Sequence, residues 1–297
     1  MATKLLMEEL VERCIEAEVE RDASASTVAE CSRCLRRAVK AFAEQGIEDA
    51  SLLTSARLRD YVLSCRESYG PPTIKTIVWS LRKFGDFLVL QRIRDSNPAN
   101  DLHHPKLSPR RNLPGYLSSV QLQQLLSTAV EKCSLCDLVI LSLLATTGAR
   151  PHEIASLRLC NVRAGYTRVD YWAKGGWYKP TPVSLQMAPL LKAHCETLDQ
   201  ESEYCFYNTR GKQVTVSWIQ RMVRSVGEQA ELPMRLTPKL LRHTFATHVA
   251  DRHGRSIAKA LLGHSSDQTT DVYVHLSARR FKGSMNHHPY QTTWHRR

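Results

Sequence analysis

The chain is divided most firmly by one stretch. Between Asn97-Pro98-Ala99-Asn100 and Pro114 runs Asp101-Leu102-His103-His104-Pro105-Lys106-Leu107-Ser108-Pro109-Arg110-Arg111-Asn112, polar and without hydrophobic periodicity. Each proline removes a backbone donor and forces its predecessor toward extended geometry, so no helix or central strand can run through it. The stretch reads as a strap joining two compact halves. A chain of 297 residues supplies each half with enough length for its own core. The expected domains are 1–107 and 108–297.

The first half reads as helical. Over residues 26–45, Ala29, Leu35, Val39 and Phe42 recur with a 3.6-residue period, while Arg33, Arg36, Arg37 and Lys40 take the other face. A short helix at 55–67 ends before Tyr69-Gly70-Pro71-Pro72. Another follows at 73–92, with Ile77, Leu81, Phe84 and Leu88 inward and Thr73, Lys75, Arg82 and Lys83 toward solvent.

The second half is mixed. Ser118-Ser119-Val120-Gln121 has the spacing of a capping box opening a helix to about Glu131. Leu135 to Thr146 is apolar all round, hence a core helix. Tyr166 to Trp172 alternates as a strand, Lys174-Gly175-Gly176 turns, and Tyr178 to Val183 returns as its partner. Helices are expected again at 186–197, 214–230, 238–251, 254–262 and 266–274. The fold class is therefore mainly α: a helical amino-terminal domain plus a mixed α+β domain with a small sheet.

Hydrophobic residues at 42% and charged residues at 24% describe a folded protein and exclude a disordered one. The net charge of +12 is placed unevenly. Residues 1–106 carry 16 Lys and Arg against 16 Asp and Glu, whereas residues 107–297 carry 25 against 13. The second half thus holds the whole excess and favours a polyanion, nucleic acid before membrane lipid. No run of about 18 apolar residues exists to span a bilayer. The start, Met1 to Glu9, is too acidic for a signal peptide, so a cytoplasmic protein is expected. Of nine cysteines, Cys31/Cys34 and Cys133/Cys136 have Cys-x-x-Cys spacing. The pairs lie about a hundred residues apart in helical text, so they read as reduced, small apolar side chains and not as zinc ligands.

Chemistry concentrates in the basic half. Arg150 follows Gly148 at a helix start, where its fork can reach a phosphate; the plainer reading is a surface ion pair with Glu153. Glu153 fits an orienting carboxylate better than a general base. Lys174 sits at the hairpin tip, where a mobile acid could enter a closed site. Lys239 and Arg242, three residues apart, share a helix face, whereas His243 is rotated away. His264 opens a new turn and Tyr273 follows nine residues later. Singly, each has an ordinary structural explanation. Together, two arginines, a lysine, a histidine and a phenol are what attack on a phosphodiester without a metal requires.

At these residues the chain resembles the tyrosine recombinase (phage integrase) family, with a Xer-like two-domain layout. The similarity rests on Gly148-Ala149-Arg150-Pro151-His152-Glu153, Lys174-Gly175, Leu241-Arg242-His243-Thr244-Phe245-Ala246-Thr247, Leu262-Gly263-His264-Ser265-Ser266, Thr269-Thr270 and Tyr273. The tail, with Asn286-His287-His288-Pro289, is similar to that of Xer recombinases. The resemblance implies a helical core-binding domain followed by a catalytic domain. It further implies that Arg150 and Arg242 clamp the scissile phosphate, Lys174 protonates the leaving 5′ oxygen, and His264 donates to the phosphate. Tyr273 would attack, leaving a 3′-phosphotyrosyl link that is rejoined through a Holliday junction without metal or ATP. Lys239 departs from the family's usual histidine; it keeps a positive donor, so its expected role is phosphate stabilisation.

The implied partners are double-stranded DNA and further copies of the chain. A tetramer would form through the tail, with Ser277 to Met285 as the donor segment, and a second recombinase or accessory protein is a further candidate. Arg33, Arg36, Arg37, Lys40, Lys75, Arg82 and Lys83 are candidate DNA contacts of the first half. Chromosome-dimer resolution and movement of a mobile element both fit this class. The alternatives are a DNA-binding regulator derived from a recombinase that no longer cleaves and, more remotely, a topoisomerase of like chemistry.

Overall fold

A computed structural model describes residues 6–105, 115–173, 177–199 and 201–262. The chain falls into two compact units, Met1–Arg111 and Asn112–Arg297.

Among its described residues, the first unit has four α-helices: α1 (Met7–Glu20), α2 (Ala25–Ala43), α3 (Ser55–Ser68) and α4 (Pro71–Leu90). Local chemistry sets their starts. Ser24 and Thr54 accept from the backbone N–H of Thr27 and Arg57, and α4 begins on Pro71-Pro72, whose missing N–H groups cost nothing at a helix start. Leu35, Phe42, Ile77, Leu81 and Leu88 face one core, joined by Cys14, Cys31, Cys34 and Cys65. Burial pushes the Cys31 thiol up to about 11, so it packs there as a small neutral group. Val39 is only half-buried, since Ala38 takes the inward position beside it.

The start of the strap is not loose. Asn97, Ala99 and Leu102 are buried against α4. The Asn97 amide donates to Arg82 O at 3.0 Å and Asp86 Oδ1 at 2.7 Å, and its carbonyl accepts from Ala99 N at 2.7 Å. Gly85 makes room: a Cβ there would stand 1.9 Å from Asn97 Oδ1.

The second unit is built around α6 (Leu135–Thr147), in which every residue from Leu138 to Thr147 is buried. A helix apolar on all sides needs neighbours on all sides. Around it lie α5 (Ser119–Lys132), α7 (Pro151–Ala155), α8 (Ala188–Cys195), α9 (Val216–Gln229) and α10 (Pro238–His253). The capping box of α5 is formed, Ser118 and Gln121 each accepting the other's backbone N–H at 3.2 and 2.9 Å. Gly254, at φ +88°, separates α10 from α11 (Arg255–Leu262).

Among the described residues the sheet has two antiparallel strands, β1 (Arg168–Ala173) and β2 (Trp177–Pro182). Tyr171 pairs with Lys179 and Trp172 with Tyr178. The first strand starts two residues later than its alternation suggests, because Tyr166 has φ +55° and lies in a tight turn. The segment expected to be helical at 266–274 lies outside the described residues.

Candidate active site

The site grows from the end of α6. Gly148 ends that helix in the left-handed region, φ +63°, where a side chain would be strained. A Cβ on it would meet Phe245 Cδ1 at 2.5 Å and Leu262 Cδ2 at 2.8 Å, so α10 and α11 close directly onto the turn. The chain then leaves as Ala149-Arg150 and enters α7 at Pro151.

Arg150 caps α7. Its backbone N–H donates to Glu153 Oε2 at 2.7 Å and its Nη1 to Glu153 Oε1 at 3.1 Å. Among the described residues, its Nε and Nη2 have no hydrogen-bond partner. Glu153 is 0% exposed and receives a third donor, Lys179 Nζ, at 3.3 Å on Oε2. Burial works to raise the Glu153 pKa, but Lys179, the Arg150 amide and the two guanidinium groups outweigh it and hold the carboxyl below its ordinary value. Glu153 is therefore an ion at neutral pH. Lys179 is 2% exposed, with its Nζ 5.5 Å from the Tyr171 ring centroid. Burial draws its pKa down and Glu153 opposes the shift.

Arg242 rises from α10 and is fixed by backbone carbonyls: Nη1 donates to Gly148 O at 2.5 Å and Nη2 to Leu262 O at 2.9 Å. Desolvation first, then repulsion from Arg150, pushes its pKa down to about 10. It stays cationic at neutral pH: Arg150 repels it, and the Glu153 carboxylate, which faces both guanidinium groups, offsets part of that repulsion.

Arg150, Arg242 and Lys239 line one open cleft of about 450 Å³. Its other walls include His152 from α7, Gln220 and Arg224 from α9, and Arg235 from the segment before α10. No acidic side chain is among the described residues lining it. Desolvation lowers the His152 pKa, with Glu153 opposing and the surrounding cations adding to the shift, so His152 is neutral at pH 7. The cleft suits an anion that accepts several hydrogen bonds, as a phosphodiester does.

Of the site residues expected from the sequence, Arg150, Glu153, Lys239 and Arg242 are thus brought together. Lys174, His264 and Tyr273 lie outside the described residues. Sequence reasoning overlooked Lys179, Gln220, Arg224 and Arg235. The signal for Lys179 was present: strand alternation sets it in step with Thr181 and opposite Tyr171, on the inward face. A lysine at an inward strand position is unusual enough to question.

The first unit's basic residues divide by what they touch. Arg33 pairs with Glu30, and Arg36 holds Glu12 through Nε at 2.8 Å and Nη2 at 2.7 Å. The Arg37 guanidinium lies 4.9 Å from the Tyr69 ring centroid. Arg82 and Lys83, expected toward solvent, are half-buried. Arg82 Nη2 donates to Leu102 O at 2.6 Å and Asn100 O at 3.3 Å, tying down the start of the strap, and Lys83 Nζ lies 3.2 Å from Glu18. Lys40 and Lys75 are exposed.

Comparison with known proteins accords with this geometry. The chain is 30% identical over 264 residues to the tyrosine recombinase XerC of Actinobacillus pleuropneumoniae, covering 87% of this chain and 86% of the relative. It is 30% identical over 285 residues to the tyrosine recombinase XerD of Vibrio cholerae, covering 91% and 92%. In fold it is similar to a lambda integrase crystallised as a tetramer bound to a Holliday junction, with TM-score 0.71 and 17% identity over 89% of this chain and 79% of that one. Residues 116–280 match the family described as the phage integrase family. With more than half of its length matched, and with two arginines held over one cation-lined cleft, the chain belongs to the phage integrase family.

Proposed function

We propose that the protein is a site-specific tyrosine recombinase that cuts and rejoins duplex DNA, with Tyr273 as nucleophile. The observation that carries this reading is the placement of Arg150, Arg242 and Lys239 around one cleft, with Arg242 anchored by two carbonyls. The two relatives matched over most of their length, both tyrosine recombinases, point the same way.

In the proposed reaction the Tyr273 phenol oxygen attacks the scissile phosphorus and its proton passes to water. The bond from phosphorus to the 5′ oxygen breaks, and Lys174 protonates the departing oxygen. One phosphodiester is exchanged for one 3′-phosphotyrosyl bond, so a 5′ hydroxyl can reverse the step without an energy donor. Charge builds on the non-bridging oxygens in the transition state. Arg150 and Arg242 meet it already oriented, Lys239 adds a third positive donor, and His264 donates a hydrogen bond.

Glu153 orients Arg150. The first domain, over 1–107, serves as the core-binding domain and the second, over 108–297, as the catalytic domain. Lys40, Lys75, Arg33 and Arg37 are the first unit's candidate phosphate contacts; Arg82 and Lys83 contribute through the charge they leave exposed beside their structural bonds. Protomers assemble as a tetramer on DNA through the tail after Tyr273.

The test is a duplex chosen by binding selection from a random pool and nicked near the crossover so that the cut strand cannot be rejoined. A covalent protein–DNA band on a denaturing gel, absent for Tyr273→Phe, is expected. Tight binding with no adduct would instead favour a regulator that no longer cleaves.

A further inference from the structure

We propose that Lys179 is a positioning residue for strand cleavage, neutralising Glu153 from behind so that the outer donors of Arg150 stay turned to the phosphate. The inference rests on the strand-cleaving function proposed above.

The placement of Lys179 is costly in itself. An ammonium taken out of water loses several kcal/mol of hydration, and a leucine or methionine would fill the inward face of β2 without that loss. Yet Lys179 lies 2% exposed, its Nζ 3.3 Å from Glu153 Oε2 and 5.5 Å from the Tyr171 ring centroid. Its ion pair is with the carboxylate that binds Arg150, and that carboxylate is itself 0% exposed.

Without Lys179, a fully buried negative charge would face Arg150 and Arg242 alone, and Coulomb attraction in a poorly screened interior would draw the Arg150 fork inward. With Lys179 present, Oε2 is shared between the Lys179 ammonium and the Arg150 amide. Oε1 takes a single Arg150 donor, Nη1. Among the described residues Arg150 is thus held by one side-chain arm, leaving Nε and Nη2 for the substrate. The cluster also carries three cations against one carboxylate, a surplus of two charges toward a phosphodiester; losing Lys179 would halve it.

The test compares the full chain with Lys179→Met, Lys179→Arg and the double variant Lys179→Met/Glu153→Gln. Adduct formation is followed in a single turnover at saturating nicked DNA, together with DNA Kd and Tm. Lys179→Met should cleave slower by on the order of tenfold to a hundredfold, at a temperature well below its Tm and with Kd little changed. Lys179→Arg should recover much of the rate. The double variant should cleave faster than Lys179→Met alone, because neutralising Glu153 removes the pull on Arg150. A merely structural lysine predicts neither that order nor a loss confined to the bound state. Should Lys179→Met fail to fold, Lys179→Arg still decides. Wild-type rate in folded Lys179→Met, a double variant slower than it, or Lys179→Arg as slow as a non-cleaving variant would overturn the assignment. An adduct with the wild type would show that strand cleavage itself stands while this role falls. No adduct even with the wild type would overturn both.

Discussion

Arg242 and Gly148, 94 residues apart, are joined by a 2.5 Å hydrogen bond from the Arg242 guanidinium to the Gly148 carbonyl. That bond ties the turn carrying Arg150 to the helix carrying Arg242, so the two cations keep a fixed relation. Leu262 completes the anchor through its own carbonyl at 2.9 Å, at the end of the last helix described before His264. One guanidinium therefore reports on three segments of the second unit.

Gly148→Ala should damage this junction from both sides. The new Cβ would be strained at φ +63° and would stand 2.5 Å from Phe245 and 2.8 Å from Leu262. Overpacking of this kind costs about 1–3 kcal/mol, to which the backbone strain adds. A lowered Tm by differential scanning calorimetry, with a larger loss of cleavage than of DNA binding, is expected. An unchanged Tm would mean that α10 and α11 do not close on the turn.

The α9 wall of the cleft should be felt in salt dependence. Arg224 pairs with Glu228 at 2.8 Å, but that pair is exposed and weak enough to yield to a phosphate. Arg224→Gln and Arg235→Gln should each lower the slope of log affinity against log salt by about 1 while sparing the cleavage rate at saturating DNA. Titration by fluorescence anisotropy at several salt concentrations checks this; unchanged slopes would remove both from the phosphate path.

Acid should act through Glu153. Its folded pKa is held below the ordinary 4.5, so its ionisation stabilises the fold above that value, and the contribution is lost as pH falls through the lower folded value. The stability advantage of wild type over Glu153→Gln should be constant from neutral pH to about 5 and shrink below it. Urea unfolding across that range measures the difference. An advantage that grew on acidification would contradict the sign.

Much of this was legible locally. The α5 capping box, the apolar α6, the hairpin, the Arg150–Glu153 spacing and the shared face of Lys239 and Arg242 all depend on residues close in sequence. What escaped depends on distance. Lys179 meets Glu153 across 26 residues, so strand alternation could flag an oddity without naming its partner. Arg242's anchors lie 94 and 20 residues away. Arg82 and Lys83 sit where periodicity puts solvent, yet the returning strap and the Glu18 carboxylate cover them. Asn97 packs inward only because Gly85 leaves a gap that no local pattern reveals.

The central claim is that Arg242 stabilises negative charge on a phosphodiester during cleavage, and one comparison tests it most directly. Single-turnover adduct formation would be measured for wild type and Arg242→Gln on two nicked duplexes, one with an ordinary scissile phosphate and one with an uncharged methylphosphonate there. On the phosphate, Arg242→Gln should be slower by on the order of a hundredfold to a thousandfold, the usual loss for removing a preorganised donor. On the methylphosphonate the defect should shrink to about tenfold or less, since one of the two non-bridging oxygens and its negative charge are gone. An equal defect on both linkages would show that Arg242 only holds the fold together.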